Sequence, residues 1–301
     1  MDRFDAIRTL LAAIDGGSLS AASRALGMPL PTVSRKVSEL EAHLGTQIVV
    51  RTSRKLVLTD AGEAFVAAAR RIMAELEEAE RAASGEYRAP RGELLITAPI
   101  LFGKLHILPI VLEFLGAYPE VDVRLILSDS VVDLVDNHVD VAARLGRLPD
   151  SGLVALRVGT VRWISCASPH YLAERGTPAT PDELASHDCI AFEGLQTARS
   201  WTFAPGVGAG PVTIRPRLGV NTADGLIEAA SAGLGVARMM SYQAAPAIRD
   251  RRLVTILDDY APEPIPVHLV HTGPPLLPLK LRAFLDFAAP RLKAALAGLP
   301  G

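Results

Sequence analysis

Gly17-Ser18-Leu19-Ser20-Ala21-Ala22-Ser23-Arg24-Ala25-Leu26-Gly27-Met28-Pro29-Leu30-Pro31-Thr32-Val33-Ser34-Arg35-Lys36-Val37-Ser38-Glu39-Leu40-Glu41-Ala42-His43-Leu44-Gly45 decides how this chain is read. Ser18 is a natural N-cap for a short helix over 19–26. Gly27-Met28-Pro29 breaks the chain. A second run, about 31–44, then sets Val33, Val37, Leu40 and Leu44 at spacings 4, 3 and 4, one face of a helix that Gly45 closes. Two short helices joined by a tight glycine-containing turn make a helix-turn-helix. Upstream, Phe4, Ile7, Leu11 and Ile14 share one face of a further helix. Downstream, Ile48 to Arg51 and Leu56 to Thr59 are β-prone runs around Thr52-Ser53-Arg54-Lys55, a hairpin or wing.

At about 100° per residue, Arg35 lies opposite the apolar face, flanked by Thr32 and Ser38, with Lys36 at one edge. Ser18 and Ser34 add hydroxyls, and Arg51, Arg54 and Lys55 add charge on the wing. Hydroxyls and guanidinium near a helix start suit base edges and phosphates, so double-stranded DNA is the expected partner. Net charge is −2, which excludes a wholly basic architectural protein and leaves room for this local surplus.

Thr59 is placed to cap a long helix over about 60–84, with Asp60 and Glu63 at its positive end. Phe65, Ala69, Ile72, Leu76, Ala79 and Ala83 form a heptad seam between charged faces. A sixty-residue head is too small to bury that seam, so the expectation is pairing with a second copy; the alternative is packing on the chain's own C-terminal half. Residues 85–92 read as a Gly/Pro-marked hinge. Beyond it strands and helices alternate: strand 93–98, helix 104–118, strand 121–128, helix 131–137 and strand 139–145. A second set runs from 153 to about 257, and strand 267–271 and helix 279–296 follow. Such alternation predicts βαβ units and a mainly parallel sheet.

The chain is 49% hydrophobic and 21% charged over 301 residues, too apolar for disorder and long enough for two or three domains. No stretch approaches about 18 uninterrupted apolar residues, and the start reads as no signal peptide, so a cytoplasmic location is expected. Only Cys166 and Cys189 occur, too few for a disulfide scaffold. With His170 and His187 they give C-x3-H and H-x-C spacings that match no structural zinc site, so no metal and no cofactor are expected. Gly206, Gly208 and Gly210 precede a strand-like run, unlike a dinucleotide loop. No G-x-S-x-G, H-E-x-x-H or P-loop occurs, and an enzyme has little support.

Residues 4–62 resemble the N-terminal domain of LysR-type transcriptional regulators. The matching motifs are Gly17 to Ala22, Ala25-Leu26-Gly27, Pro31 to Val37, Leu40 to Gly45 and Leu58-Thr59-Asp60-Ala61-Gly62. The resemblance continues through Thr97-Ala98-Pro99, Asp140 to Gly146, Ala167 to Leu172 and Ala232-Gly233-Leu234-Gly235. It departs at Pro29-Leu30, where the family has a Ser-Gln pair entering the recognition helix, and at Ile48-Val49-Val50-Arg51, where it has Leu-Phe-x-Arg.

The resemblance implies a mainly α N-terminal winged helix-turn-helix (1–59), a dimerising linker helix (60–84), a hinge (85–92) and an α/β effector domain (93–301). That domain is expected to resemble periplasmic binding proteins, with lobe I at 93–161 and 268–301 and lobe II at 162–267. The implied function is DNA-binding transcription regulation by a bacterial homodimer or homotetramer. A small-molecule effector, expected to be a carboxylate, would lie between the lobes. Its implied lining is Pro99, Ile100, Leu101, Phe102, Ser128, Asp129, Arg144 and Gly146, with Cys166, Trp201, Phe203, Asn221 and Thr222 from lobe II. Arg144 is suited to a carboxylate partner; Asp129 is an alternative, internal one.

Overall fold

The computed structural model describes residues 2–51, 56–83, 89–193, 199–204, 211–273 and 277–299, with side chains left out at 51, 71, 74, 75, 77–79 and 81–83. Two compact units result, Met1–Arg88 and Ala89–Gly301. In the first, α1 (Arg3–Asp15), α2 (Leu19–Leu26) and α3 (Leu30–Leu44) precede an antiparallel pair, β1 (Val49–Arg51) and β2 (Leu56–Leu58), and α4 (Asp60–Ala83). Capping side chains set two of the starts: Asp2 accepts from Phe4 N and Asp5 N, and Ser18 from Ala21 N at 3.1 Å. Each such cap is worth about 1 kcal/mol. α3 starts one residue earlier than expected, at Leu30, and behind Pro29 it has no side-chain cap. Its Val37 and Leu40 meet Ala6, Leu10, Ile48, Val49 and Val66 in one apolar core.

The wing is fastened to both flanking helices. Glu41 Oε1 accepts from Ile48 N (2.9 Å) and Val49 N (3.0 Å). Thr59 donates its hydroxyl to Gln47 O at 2.7 Å and accepts from Gly62 N at 3.0 Å. Gly62 is obligatory there, because a Cβ would stand 2.1 Å from Ile48 O. The first turns of α4 bury Val66, Ala69 and Met73, and Phe65 packs on the head core. The expectation that this helix cannot bury its seam on the head is therefore corrected for its first half. Ile72 stays 49% exposed, Leu76 is half-buried, and the Ala79 and Ala83 side chains lie outside the described residues.

The second unit contains two five-stranded sheets. The first is built from β3 (Gly92–Ala98), β4 (Val121–Leu127), β5 (Val141–Leu145), β6 (Val154–Val161) and β14 (Ile265–His271), in the order β4-β3-β5-β14-β6. The second is built from β7 (Trp163–Ala167), β8 (Cys189–Phe192), β11 (Pro216–Val220), β12 (Val236–Met240) and β13 (Val254–Ile256), in the order β11-β8-β12-β7-β13. β9 (Ser200–Trp201) and β10 (Val212–Thr213) form a separate antiparallel pair. Neither large sheet is mainly parallel as expected. β14 is antiparallel to β5 and β6, and β7 is antiparallel to β12 and β13.

Helix α5 (Ile100–Ala117) is apolar enough by composition to pass for a membrane span, yet Phe102, Ile107 and Phe114 are fully buried in the core. It contains a π-helical turn at Gly103–Ile107. Helices α6 (Pro169–Arg175), α7 (Ala223–Ser231), α8 (Ser241–Arg249) and α9 (Leu279–Ala297) complete the unit. The helix expected over 131–137 is absent: residues 134–138 form turns, opened by Asp133 Oδ1, which accepts from Val135 N (2.8 Å) and Asp136 N (2.9 Å), and Val131 and Val135 lie exposed with no face to bury.

Candidate DNA-binding helix and effector cleft

On α3 the apolar residues Val33, Val37 and Leu40 are buried, and Arg35 projects outward with its side chain 63% exposed. It pairs with Glu39 at 2.7 Å, one turn on. An exposed pair at this spacing is worth a few tenths of a kcal/mol, so the guanidinium is easily released. Thr32 and Ser34 are half-exposed and Ser38 is exposed. Lys36 is turned inward. It forms an ion pair with Asp5 of α1 and lies 3.3 Å from Met28 Sδ, tying α1 to the turn before α3. Ser18 uses its oxygen to cap α2. Arg54 and Lys55 lie outside the described residues, as does the Arg51 side chain.

In the second unit β3, β4 and β5 are parallel, so Pro99, Ser128 and Arg144 to Gly146 gather at the carboxyl ends of one set of strands. The parallel trio β11, β8 and β12 brings Asn221, Thr222 and the start of α8 to the corresponding end of the second sheet. The two ends meet, because Tyr242 of α8 packs edge-on against Phe102 (5.3 Å between ring centres) and His106 (5.7 Å) of α5. Such a meeting of carboxyl ends is where open α/β sheets bind ligands.

The polar groups there are largely committed. Asp129 Oδ1 accepts from Ile100 N at 3.0 Å, which fills the start of α5 with the protein's own carboxylate. Arg144 donates to Val132 O rather than pairing with Asp129. Burial lowers the Arg144 guanidinium, and the Asp133 charge opposes that. Thr222 caps α7, accepting from Gly225 N at 3.2 Å. Burial raises the Tyr242 phenol, opposed by the Gln243 hydrogen bond and reinforced by the Asp129 charge. Burial lowers His106, whose Nε2 is enclosed without a hydrogen-bond partner among the described residues.

Of the residues expected to line the cleft, Ile100, Asp129, Asn221 and Thr222 are exposed, and Ser128, Arg144 and Gly146 are half-buried. Leu101 and Phe102 are core residues of α5, and Cys166 is fully buried in β7 with its thiol pushed up to about 12. Trp201 is buried in a separate cluster with Tyr171 and Leu184, against which Phe203 packs. His106, Tyr242 and Gln243 join the junction unanticipated. The π-helical turn that presents His106 has no sequence signature; π-helical turns often mark functional sites.

Residues 4–63 match the family model described as a bacterial regulatory helix-turn-helix protein of the lysR family, and residues 88–293 match that of the LysR substrate binding domain. The chain belongs to the LysR-type transcriptional regulators. An HTH-type transcriptional regulator of Xanthomonas campestris is 35% identical over 283 residues, which cover 93% of this chain and 82% of that protein. The regulator CrgA of Neisseria meningitidis serogroup C is 32% identical over 287 residues, 95% of each chain. A solved structure of CrgA from Neisseria meningitidis superposes with a TM-score of 0.63 at 29% identity, covering 96% of this chain and 98% of that one. The LysR-type regulator described here is thus a DNA-binding transcription factor with a helix-turn-helix and a substrate-binding domain. It is not an enzyme.

Proposed function

We propose that this regulator reads operator DNA in the major groove with α3, acting as a homodimer or dimer of dimers in the cytoplasm, under the control of a small carboxylate effector. The observation that carries the DNA reading is the division of α3: Val33, Val37 and Leu40 face the core, and Arg35, Thr32, Ser34 and Ser38 face away from it. Arg35 contacts bases or phosphates, and Arg51, Arg54 and Lys55 contact the backbone beside the wing. Lys36 supports the helix from behind through Asp5. In this reading 60–84 is the linker through which copies pair, and 85–92 is the hinge between head and effector domain. Arg35→Ala should cost about 1–3 kcal/mol of specific binding. Operator binding equal to the unmodified protein across a salt titration refutes the assignment.

The effector seat in this reading is the junction of the two sheets, at Ile100, Ser128, Asp129, Arg144, Asn221 and Thr222. Arg144 makes no ion pair among the described residues, which supports a carboxylate-bearing ligand. Asp129 limits the site to one such group, since it already occupies the Ile100 amide. Binding that favours one arrangement of the lobes then shifts the DNA-binding heads. Calorimetry with monocarboxylic acids against their amides tests the seat: acids should bind more tightly, and Arg144→Ala should remove the difference. Tighter amides overturn the carboxylate preference and leave the DNA reading intact.

A further inference from the structure

The first turn of α3 is built from residues that the rest of the head does not use. Pro29, Leu30 and Pro31 are all exposed, Leu30 to 43%. Val37 and Leu40 serve one apolar cluster of the head and Val33 the other, whereas Leu30 belongs to neither. Its side chain therefore adds nothing to the core, and the fold does not call for a leucine there.

The same turn is short of hydrogen-bond donors. Pro29 and Pro31 have no backbone N–H, and Thr32 N and Val33 N donate to Pro29 O at 2.9 and 3.2 Å. A helix start ordinarily leaves several amides free. Here only that of Leu30 has no partner among the described residues, and no side chain caps the helix. A helix start that holds a phosphate does so with several free N–H groups. This one is closed to that use and presents hydrocarbon instead. Ser34, four residues on, stands beside Leu30 on the helix surface, and Arg35 follows it, so the apolar end runs directly into the polar outer face.

Helix-turn-helix proteins set the N-terminal residues of this helix against base edges in the major groove. The base pairs offer one apolar group there, the C5 methyl of thymine. We infer that Leu30 is a specificity-determining residue that covers a thymine methyl in each operator half-site. The start of α3 thus reads by apolar contact, and Arg35 and the hydroxyls behind it read by hydrogen bonds. The inference rests on α3 as the DNA-reading helix proposed above. Covering one methyl is worth about 4-fold in affinity.

The probe is a duplex enriched from a random pool by the full-length protein, with each thymine replaced in turn by uracil, which lacks only the methyl. At the thymine under Leu30 the replacement should weaken binding about 4-fold. With Leu30→Ala, thymine and uracil should bind alike at that position, whereas Arg35→Ala should keep the difference. Leu30→Gln, put through the same enrichment, should give up thymine there, because an amide reads adenine. Leu30→Ala should melt with the unmodified protein, and a lower melting temperature would show a packing role and overturn the inference. Uracil tolerated at every thymine overturns it and leaves the DNA reading standing, as does a uracil penalty that survives Leu30→Ala. Failure to enrich any duplex refutes α3 as the reading helix, and this inference with it.

Discussion

Gly62→Ala tests the joint between the β1–β2 pair and α4 with a sign opposite to simple expectation. Near the start of a helix, glycine to alanine ordinarily stabilises, by up to about 1 kcal/mol. Here the new Cβ would stand 2.1 Å from Ile48 O, where ordinary contact begins at 3.4 Å, so strand and helix must part by about 1.3 Å. The carbonyl cannot rotate away, because Thr59 N donates to it at 3.0 Å. The same shift loosens the bond from Gly62 N to Thr59 and the burial of Ile48 and Val66. Overpacking of this kind costs about 1–3 kcal/mol. At about 4–8 °C per kcal/mol for a domain of this size, the head should melt about 5–20 °C lower. Scanning calorimetry on the full chain reads this as a fall in the head transition, with Ala61→Gly, at an exposed neighbouring position, as a reference. A Gly62→Ala protein that melts at or above the unmodified temperature refutes the close-approach reasoning.

Leu76→Arg puts a charge where the outer half of the α4 seam is open, and the mass from light scattering should fall; an unchanged mass would place the pairing surface elsewhere. Burial holds both thiols near 12, so Cys166 and Cys189 should resist iodoacetamide at pH 8 until denaturant is added, and prompt labelling of the native protein contradicts their placement. Burial lowers His106, His187, His268 and His271 below 6.5 in the folded protein. The unfolded chain then binds protons first, so stability is fully present above pH 6.5 and declines as pH falls toward the folded-state values. Denaturant titrations between pH 7.5 and 5 should show that decline, reduced in His106→Leu; a flat or rising profile would exclude it.

What the sequence made readable was whatever depends on near neighbours. The spacing of Val33, Val37 and Leu40 gave the inner face of α3, and Ser18 and Gly27 marked the ends of α2, since caps and helical faces are written within a few residues. The pairing of Lys36 was not legible, because its partner, Asp5, is 31 positions upstream, beyond any helical period. Phe65 and Ala69 fitted a heptad equally well as a seam between copies or as packing on the head; only the position of Ile48 and Val49 decides between these. The apolar run at 131–137 carried helical periodicity, yet only Leu134 of it is buried, while Val131 and Val135 stay exposed and give a helix no face to pack. The sheets departed from a parallel expectation because the chain crosses between lobes twice, and the returning strand enters antiparallel.

The place of β14 has a consequence for synthesis. It lies between β5 and β6 in the first sheet but follows the whole second sheet in the chain. A nascent chain that has reached residue 256 carries every strand of the second lobe, while β5 still presents an open edge and β6 has no partner. Unpaired edges of this kind recruit other strands, so a chain stopped before Ile265 is an aggregation hazard, although residues 93–161 are all present. Completion thus runs from head to second lobe to first lobe, and the lobe begun earlier is the one finished last.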